Sequence, residues 1–323
     1  AIHLVSLKEL SGKRIVIDTS IYMYKFASQG NLIEGMYNMI ITLLHYNMVP
    51  IFVFDGKPTD NKLELLNERH KKKRASKYEY YKLREELLEN GATEDDLRAN
   101  ENLNKYKRES TRINAAMIDE VKKLMTLLGV SYYQAEHEAD SICAYLEKNA
   151  DYDIWGCLSE DTDMFVYGCT RILRYISLLN HTVIVYEQDK ILKKLNMTQN
   201  NFIDMCIGVG SDYNIENKLS IHKVYSMFNE YKVYKKKCNG RKLTNTKSKK
   251  GKKSAKYKKR QKIHTFMQWM IKKGDVSIEC EDYGNIMDIY LLNNIRDVTL
   301  NMNNEKDNEK LKEFLRIYNF IFV

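Results

Sequence analysis

Ala135-Glu136-His137-Glu138-Ala139-Asp140, answered by Ser159-Glu160-Asp161-Thr162-Asp163, decides how this chain is read. Six of these eleven residues are acids, and Glu147 follows shortly after the first run. Carboxylates packed together raise one another's pKa and cost stability. Divalent cations such as magnesium relieve that cost, because they take carboxylate oxygens and keep some of their waters. Glu138 and Asp140 open an apolar stretch (Ile142, Cys143, Ala144, Leu146) with the pattern of a helix start, where acids are favoured. Asp161 and Asp163 follow Ile154-Trp155-Gly156-Cys157-Leu158, a short apolar run predicted to be a buried strand. Their spacing in an extended turn aims two carboxylates at one site. A solvated acidic surface with ordinary helix capping explains these two segments equally well.

Length and composition bound the rest. The chain has 323 residues, enough for one large or two ordinary domains with a substantial core. Its hydrophobic fraction of 44% suits a soluble globule. No apolar run has the length of a membrane span and no signal peptide opens the chain, so an intracellular protein without a membrane role is expected. The six cysteines are scattered, with no CxxC pair, and read as reduced core residues. The net charge of +9 hides a division. Residues 232–262 hold sixteen Lys or Arg and no acid; removing those from the 52 basic residues leaves 36 against 43 acids, a net −7. An acidic body with a concentrated basic segment is the footprint of a protein that meets a polyanion.

In chain order, Ser6 to Lys13 suggests a short helix and turn. Arg14-Ile15-Val16-Ile17 is a buried-strand pattern ending at Asp18, and Val49 to Phe54 is a second one ending at Asp55. The helical spacing of Ile21 to Leu44 between them makes a βαβ unit. Acids at the carboxyl ends of parallel strands sit where such sheets place their ligands. For either Asp alone a turn or helix cap is the simpler explanation; the repetition favours a site. Lys57 to about Leu128 is almost strandless, with Gly91 dividing it into two helical halves. Its Lys62, Arg69, Lys71, Lys72, Lys73 and Arg74 read either as a solvated helix face or as a clamp for phosphate oxygens. Val130 to Tyr133 is a third strand, Arg171–Ile176 and Thr182–Tyr186 a hairpin, and Phe202–Val209 a helix running into Gly210-Ser211-Asp212-Tyr213.

Five motifs carry a resemblance: IVIDTS, VFDGKP, EHEADSICAYL, LSEDTDMFVYG and FIDMCIGVGSDY, in this order across roughly residues 12–215. Together they resemble the flap endonucleases, the structure-specific 5′ nucleases of DNA replication, repair and recombination. The resemblance implies an α/β fold of the PIN-like 5′ nuclease type. Its mixed, mainly parallel sheet is flanked by helices, under a helical arch and beside a helix-turn-helix element that holds duplex DNA. It also implies two Mg²⁺ ions, which Mn²⁺ replaces. Asp18, Asp55, Glu138 and Asp140 match the acids around the first ion; Asp140, Asp161 and Asp163 match those around the second; Asp212 matches one acting through water. Position 140 is usually Glu in the family. Lys62 and Arg69 match the arch-base cations that contact the scissile phosphate, and Tyr24 matches an aromatic that stacks on a base beside the cut. His137 and the cysteines need no catalytic role.

The resemblance implies a 1–231 nuclease core, with the arch at about 57–128 and the helix-turn-helix at about 202–231. By composition, residues 232–262, Lys-rich with Gly, Ser and Thr, are expected to be a flexible segment, and the apolar residues of 263–323 are expected to pack back on the core. Three departures stand out. Only seventeen residues precede Asp18, and the family's Met-Gly-Ile start is absent, which puts the engagement of a flap in question. Leu219-Ser220-Ile221-His222-Lys223 replaces the glycine hairpin that grips duplex phosphates, leaving Lys223 as a candidate contact. The lysine run has no counterpart; electrostatic binding of nucleic acid is its expected role, with nuclear localisation the other reading. No sliding-clamp box is evident, and a monomer is expected. The expected substrate is DNA with a 5′ flap, nick or gap, acted on in the nucleus or at another replication site. A same-fold nuclease acting on RNA and a silent DNA-binding scaffold are the alternatives.

Overall fold

The protein is described here from a computed structural model covering residues 1–57, 63–213, 219–244, 265–276, 278–296, 298–300 and 305–322. The chain divides into two compact units, Ala1–Ile191 with Asn294–Val323, and Leu192–Asn293. This differs from the expected division at 231, because the helices after the hairpin pack among themselves.

The first unit is built on a seven-stranded sheet of order β1-β7-β6-β5-β2-β3-β4. The strands are β1 (Ile2–Ser6), β2 (Arg14–Asp18), β3 (Val49–Phe54), β4 (Ser131–Gln134), β5 (Gly156–Leu158), β6 (Arg171–Ser177) and β7 (Thr182–Glu187). From β6 to β4 every pairing is parallel; β7 and β1 join antiparallel, so the sheet is mixed and mainly parallel, as expected. Ile15, Val16 and Ile17 of β2 are fully buried, as are Ile51, Phe52 and Val53 of β3. Strands covered on both faces take continuous apolar runs of this kind. The sequence reading found every strand except β1, which pairs with β7 across the length of the unit, Ile2 opposite Tyr186.

The helices of this unit are α1 (Thr19–Gln29), α2 (Leu32–His45), α3 (Leu63–Glu89), α4 (Glu94–Ala99), α5 (Glu101–Ser110), α6 (Ala115–Leu127), α7 (Ala139–Lys148) and α8 (Asp163–Tyr167). The span expected as two helical halves is therefore four helices. α6 belongs to the core, since Val121, Leu124 and Met125 are fully buried there. α3 is polar along its length and is held by α5, where Ser76 donates to Glu109 at 2.9 Å. α14 (Asn308–Ile317) returns to this unit and packs on α6 through Leu311, Phe314 and Leu315.

α9 (Gln188–Leu195) leads into the second unit, which holds α10 (Gln199–Val209), α11 (Ile221–Thr244), α12 (Phe266–Lys273) and α13 (Cys280–Tyr290). Its aromatic core stacks Phe266 on Trp269 beside Phe228 and Tyr231. Buried Asp204 accepts from the Met267 amide at 3.1 Å and the Tyr283 hydroxyl at 2.7 Å, tying α10 to α12 and α13. The 263–323 segment, expected to pack as one piece on the nuclease core, is thus split between the two units. Residues 232–244, expected to be part of a flexible segment, are helical instead, because α11 continues through Thr244; residues 245–262 of that expected segment lie outside the described residues. No described helix is long and apolar enough to cross a membrane.

Candidate active site

Strand order reverses at β2. β3 and β4 follow on one side, β5 and β6 on the other. The carboxyl ends of parallel strands diverge at such a switch point and leave a crevice for ligands. Asp18 ends β2, Asp55 follows β3, and Ser159 to Asp163 leave β5. Asp140 lies in the first turn of α7, with Glu138 at its N-cap. The chain reversal after β3 depends on Gly56, since a Cβ there would overlap the backbone oxygens of Ala135 and Glu136. Gly56 and Lys57 donate to the His137 and Glu136 carbonyls at 2.6 and 3.0 Å, which clips the Asp55 turn to the start of α7. His137 Nδ1 lies 3.2 Å from the Lys57 carbonyl oxygen.

Two serines that the sequence reading left unassigned hold the acids. Ser159, fully buried, donates to Asp18 Oδ2 at 3.0 Å and accepts from the Asp161 amide at 3.1 Å. Ser20 donates to Asp55 Oδ2, and Asp55 Oδ1 accepts from the Ala139 amide at 2.9 Å. Both serines sit inside the quoted motifs, two residues after Asp18 and two before Asp161, and that spacing was the available signal. Asp18 also caps α1, accepting from the Ser20 amide at 3.2 Å, so cap and site residue are the same side chain. Asp161 Oδ1 accepts from the Asp163 amide at 2.8 Å.

The acids feel one another. Burial, then the charge of Asp55, push the Asp18 carboxyl from 3.8 up to about 7, against the opposing hydrogen bonds from Ser159 and Ser20. Burial and the charges of Asp18, Asp161, Asp55 and Asp163 hold Asp140 well above the usual carboxylate range. Two of the seven acids first grouped together do other work. Glu147 turns away to accept from the Thr170 amide at 2.9 Å and the Arg171 amide at 3.1 Å. Glu160 accepts from the Tyr175 amide at 2.7 Å and lies 3.7 Å from Arg174 Nε. Main-chain donors at the start and middle of β6 claim both, so they leave the cluster.

Among the described residues, no three His, Cys, Asp or Glu side chains are gathered into a ready-made metal site. The carboxylates of Asp18, Asp55 and Asp161 are instead drawn to nearby hydroxyls or amides, which is where uncompensated like charges settle. The donor set nevertheless fits hard divalent cations: it consists of carboxylate oxygens. Asp140 Oδ1 and the Tyr22 hydroxyl are also buried without a hydrogen-bond partner among the described residues.

Around this cluster, Tyr24 is exposed on α1, with Lys73 Nζ 4.3 Å from its ring centroid and 3.3 Å from its hydroxyl. Arg69, Lys71, Lys72 and Arg74 are exposed on α3; Lys62 lies outside the described residues. Asp212 belongs to the second unit, as does Lys223, whose Nζ is 3.8 Å from Asp275. Cys143, Cys157 and Cys169 are buried and form no disulfide.

The XPG N-terminal domain matches residues 1–77, and the XPG I-region matches residues 129–212. Flap endonuclease 1 of Methanococcus aeolicus is 34% identical over 229 residues, 65% of this chain and 66% of that protein. The chain thus spans just under two thirds of that relative. Flap endonuclease 1 of Sulfurisphaera tokodaii is 31% identical over 260 residues, 72% of this chain and 70% of that protein. Among solved structures, flap endonuclease-1 from Methanococcus jannaschii aligns with 99% of this chain and 91% of its own, with a TM-score of 0.62 at 20% identity. The catalytic core of Rad2 in complex with a DNA substrate aligns with 98% and 91%, with a TM-score of 0.62 at 24% identity. These two likenesses establish the fold.

Proposed function

This chain belongs to the flap endonuclease family, and we propose that it is a metal-dependent, structure-specific 5′ nuclease that hydrolyses phosphodiester bonds in DNA at flaps, nicks or gaps. The observation that carries the reading is the placement of Asp18, Asp55, Asp140, Asp161 and Asp163 around the switch point of the sheet, where burial and the neighbouring charges raise the Asp18 and Asp140 carboxyls. Uncompensated, that cluster repels a polyanion, so a purely DNA-binding scaffold has no use for it. Asp18, Asp55, Glu138 and Asp140 would hold one Mg²⁺ or Mn²⁺, and Asp140, Asp161 and Asp163 a second, with Asp212 acting through water. Such ions supply an activated water and stabilise charge on the leaving oxygen.

The protein's own groups do the rest. Ser159 keeps Asp18 Oδ2 and the Asp161 backbone in one arrangement, and Ser20 fixes Asp55. These hydrogen bonds narrow the positions that the carboxylates take up before a cation arrives. Arg69 and Lys62 balance charge on the scissile phosphate without moving a proton. Tyr24, with its hydroxyl against Lys73, stacks on a base beside the cut. The proposed setting is DNA replication, repair or recombination.

The test is a panel of labelled 5′-flap, nicked and gapped DNA duplexes with matching RNA, incubated with Mg²⁺ or with EDTA. Cleavage near the flap junction in Mg²⁺ and none in EDTA is expected. Absence of divalent-dependent cleavage of every DNA substrate overturns the proposal, and faster cleavage of RNA moves it to the RNA-directed alternative.

A further inference from the structure

The cations of the second unit are not distributed evenly. Lys273 Nζ is 2.7 Å from Glu230, and Lys223 faces Asp275. Lys193, Lys232 and Lys235 have no carboxylate partner among the described residues. All three line one cleft of about 320 Å³, together with the apolar or aromatic Leu192, Met197, Phe228 and Tyr231 and the polar Asn196, Thr198 and Asn201. The cleft contains no acid. Lys232 Nζ stands 4.8 Å from the Phe228 ring centroid and Lys235 Nζ 5.6 Å from that of Tyr231. Those rings lie under the lysine stems and limit their freedom, so the ammonium groups are placed in advance.

We propose that this cleft is a second binding site for the phosphodiester backbone of duplex nucleic acid, an inference that rests on the nuclease reading above. Lys235 stands twelve residues beyond Lys223 on α11, about 18 Å along the helix axis. The cleft is therefore separate from the loop before α11, where the hairpin glycines are missing. Its chemistry selects phosphate over base. Phe228 and Tyr231 are each only 2% exposed and offer no ring face for stacking. Proteins that hold single strands depend on such faces. Three cations, two of them held over rings, with amide and hydroxyl groups in the same lining suit the regular phosphates of a duplex. Lys236 and Lys237 follow Lys235 directly on α11.

The experiment is duplex binding by the full chain in EDTA, which is independent of cleavage, from low to moderate salt. Lys193, Lys232 and Lys235 are replaced together by Met, keeping the stems over the rings. The expected result is weaker duplex affinity, a log affinity–log salt slope flatter by about 2 to 3, at roughly 0.9 per phosphate contact, and little change for single strands. Lys273→Met should change nothing. Because Lys193 makes no ring contact among the described residues, Lys193→Glu serves if the triple variant does not fold, with a slope flatter by about 1 expected. An unchanged slope in a folded variant overturns the proposal and leaves the cleft to an acidic protein partner. Equal loss for single strands overturns the duplex assignment. A chain that binds duplex through these lysines yet cleaves nothing would sink the nuclease reading and leave this site standing.

Discussion

One hydroxyl, that of Ser159, bridges two segments of the site that are far apart in sequence. It is buried, and it satisfies Asp18 and the Asp161 amide together. Ser159→Ala leaves a buried amide and a buried carboxylate oxygen short of partners, a cost of about 1–3 kcal/mol. Groups that orient metal ligands typically change metal affinity or activity by about 10–100-fold. The expected outcome is a lower Tm and a Mg²⁺ requirement raised by about that factor, read from cleavage rate against Mg²⁺ concentration; an unchanged requirement would make Ser159 an ordinary core residue. At this scale the sequence was only partly legible. Asp18, Asp55, Asp140, Asp161 and Asp163 could be named because each follows a strand or opens a helix. The fate of Glu147 and Glu160 could not, because it depends on amides of β6 that become neighbours only after folding.

Elements tell a similar story. β2 and β3 were readable because strands buried on both faces carry unbroken apolar runs. β1 was not, because its Ile2 and Leu4 stay exposed and its partner strand lies some 180 residues away. The polar α3 owes its position to α5 and carries Arg69, one of the two proposed phosphate cations. Arg69→Ala and Lys62→Ala should each lower the single-turnover cleavage rate at saturating enzyme more than they weaken binding. If only the dissociation constant moves, α3 is a general binding surface. Beyond α11, residues 245–262 concentrate ten cations. Deleting them should flatten the salt dependence of duplex binding by several units without moving the cut site. An unchanged slope would leave localisation as the account of that stretch, and a shifted cut would mean that it helps place the junction.

For the whole molecule, the carboxylate cluster is a source of instability as well as of function. The Asp18 carboxyl, at about 7 in the fold against 3.8 ordinarily, keeps its proton to higher pH when folded than when unfolded. The unfolded state therefore binds fewer protons between those values, and stability falls as pH rises through them. Asp140 acts in the same direction. In EDTA these groups should make the protein less stable at pH 8 than at pH 5, and Mg²⁺ should raise Tm more at pH 8 than at pH 5. Equal gains at both pH values would argue that cations do not bind these carboxylates. The division at Leu192 was not legible either, because it follows from how α10 to α13 pack together and not from any break in composition.

The central claim is that the acids at the carboxyl ends of the strands perform the cleavage and are not merely close to it. Cleavage of a 5′-flap DNA in Mg²⁺ by the wild type and by Asp161→Ala, at enzyme concentrations giving equal DNA occupancy, tests it most directly. A loss of turnover by orders of magnitude with binding nearly intact is the predicted result, and equal turnover in a clean preparation of the variant would contradict it.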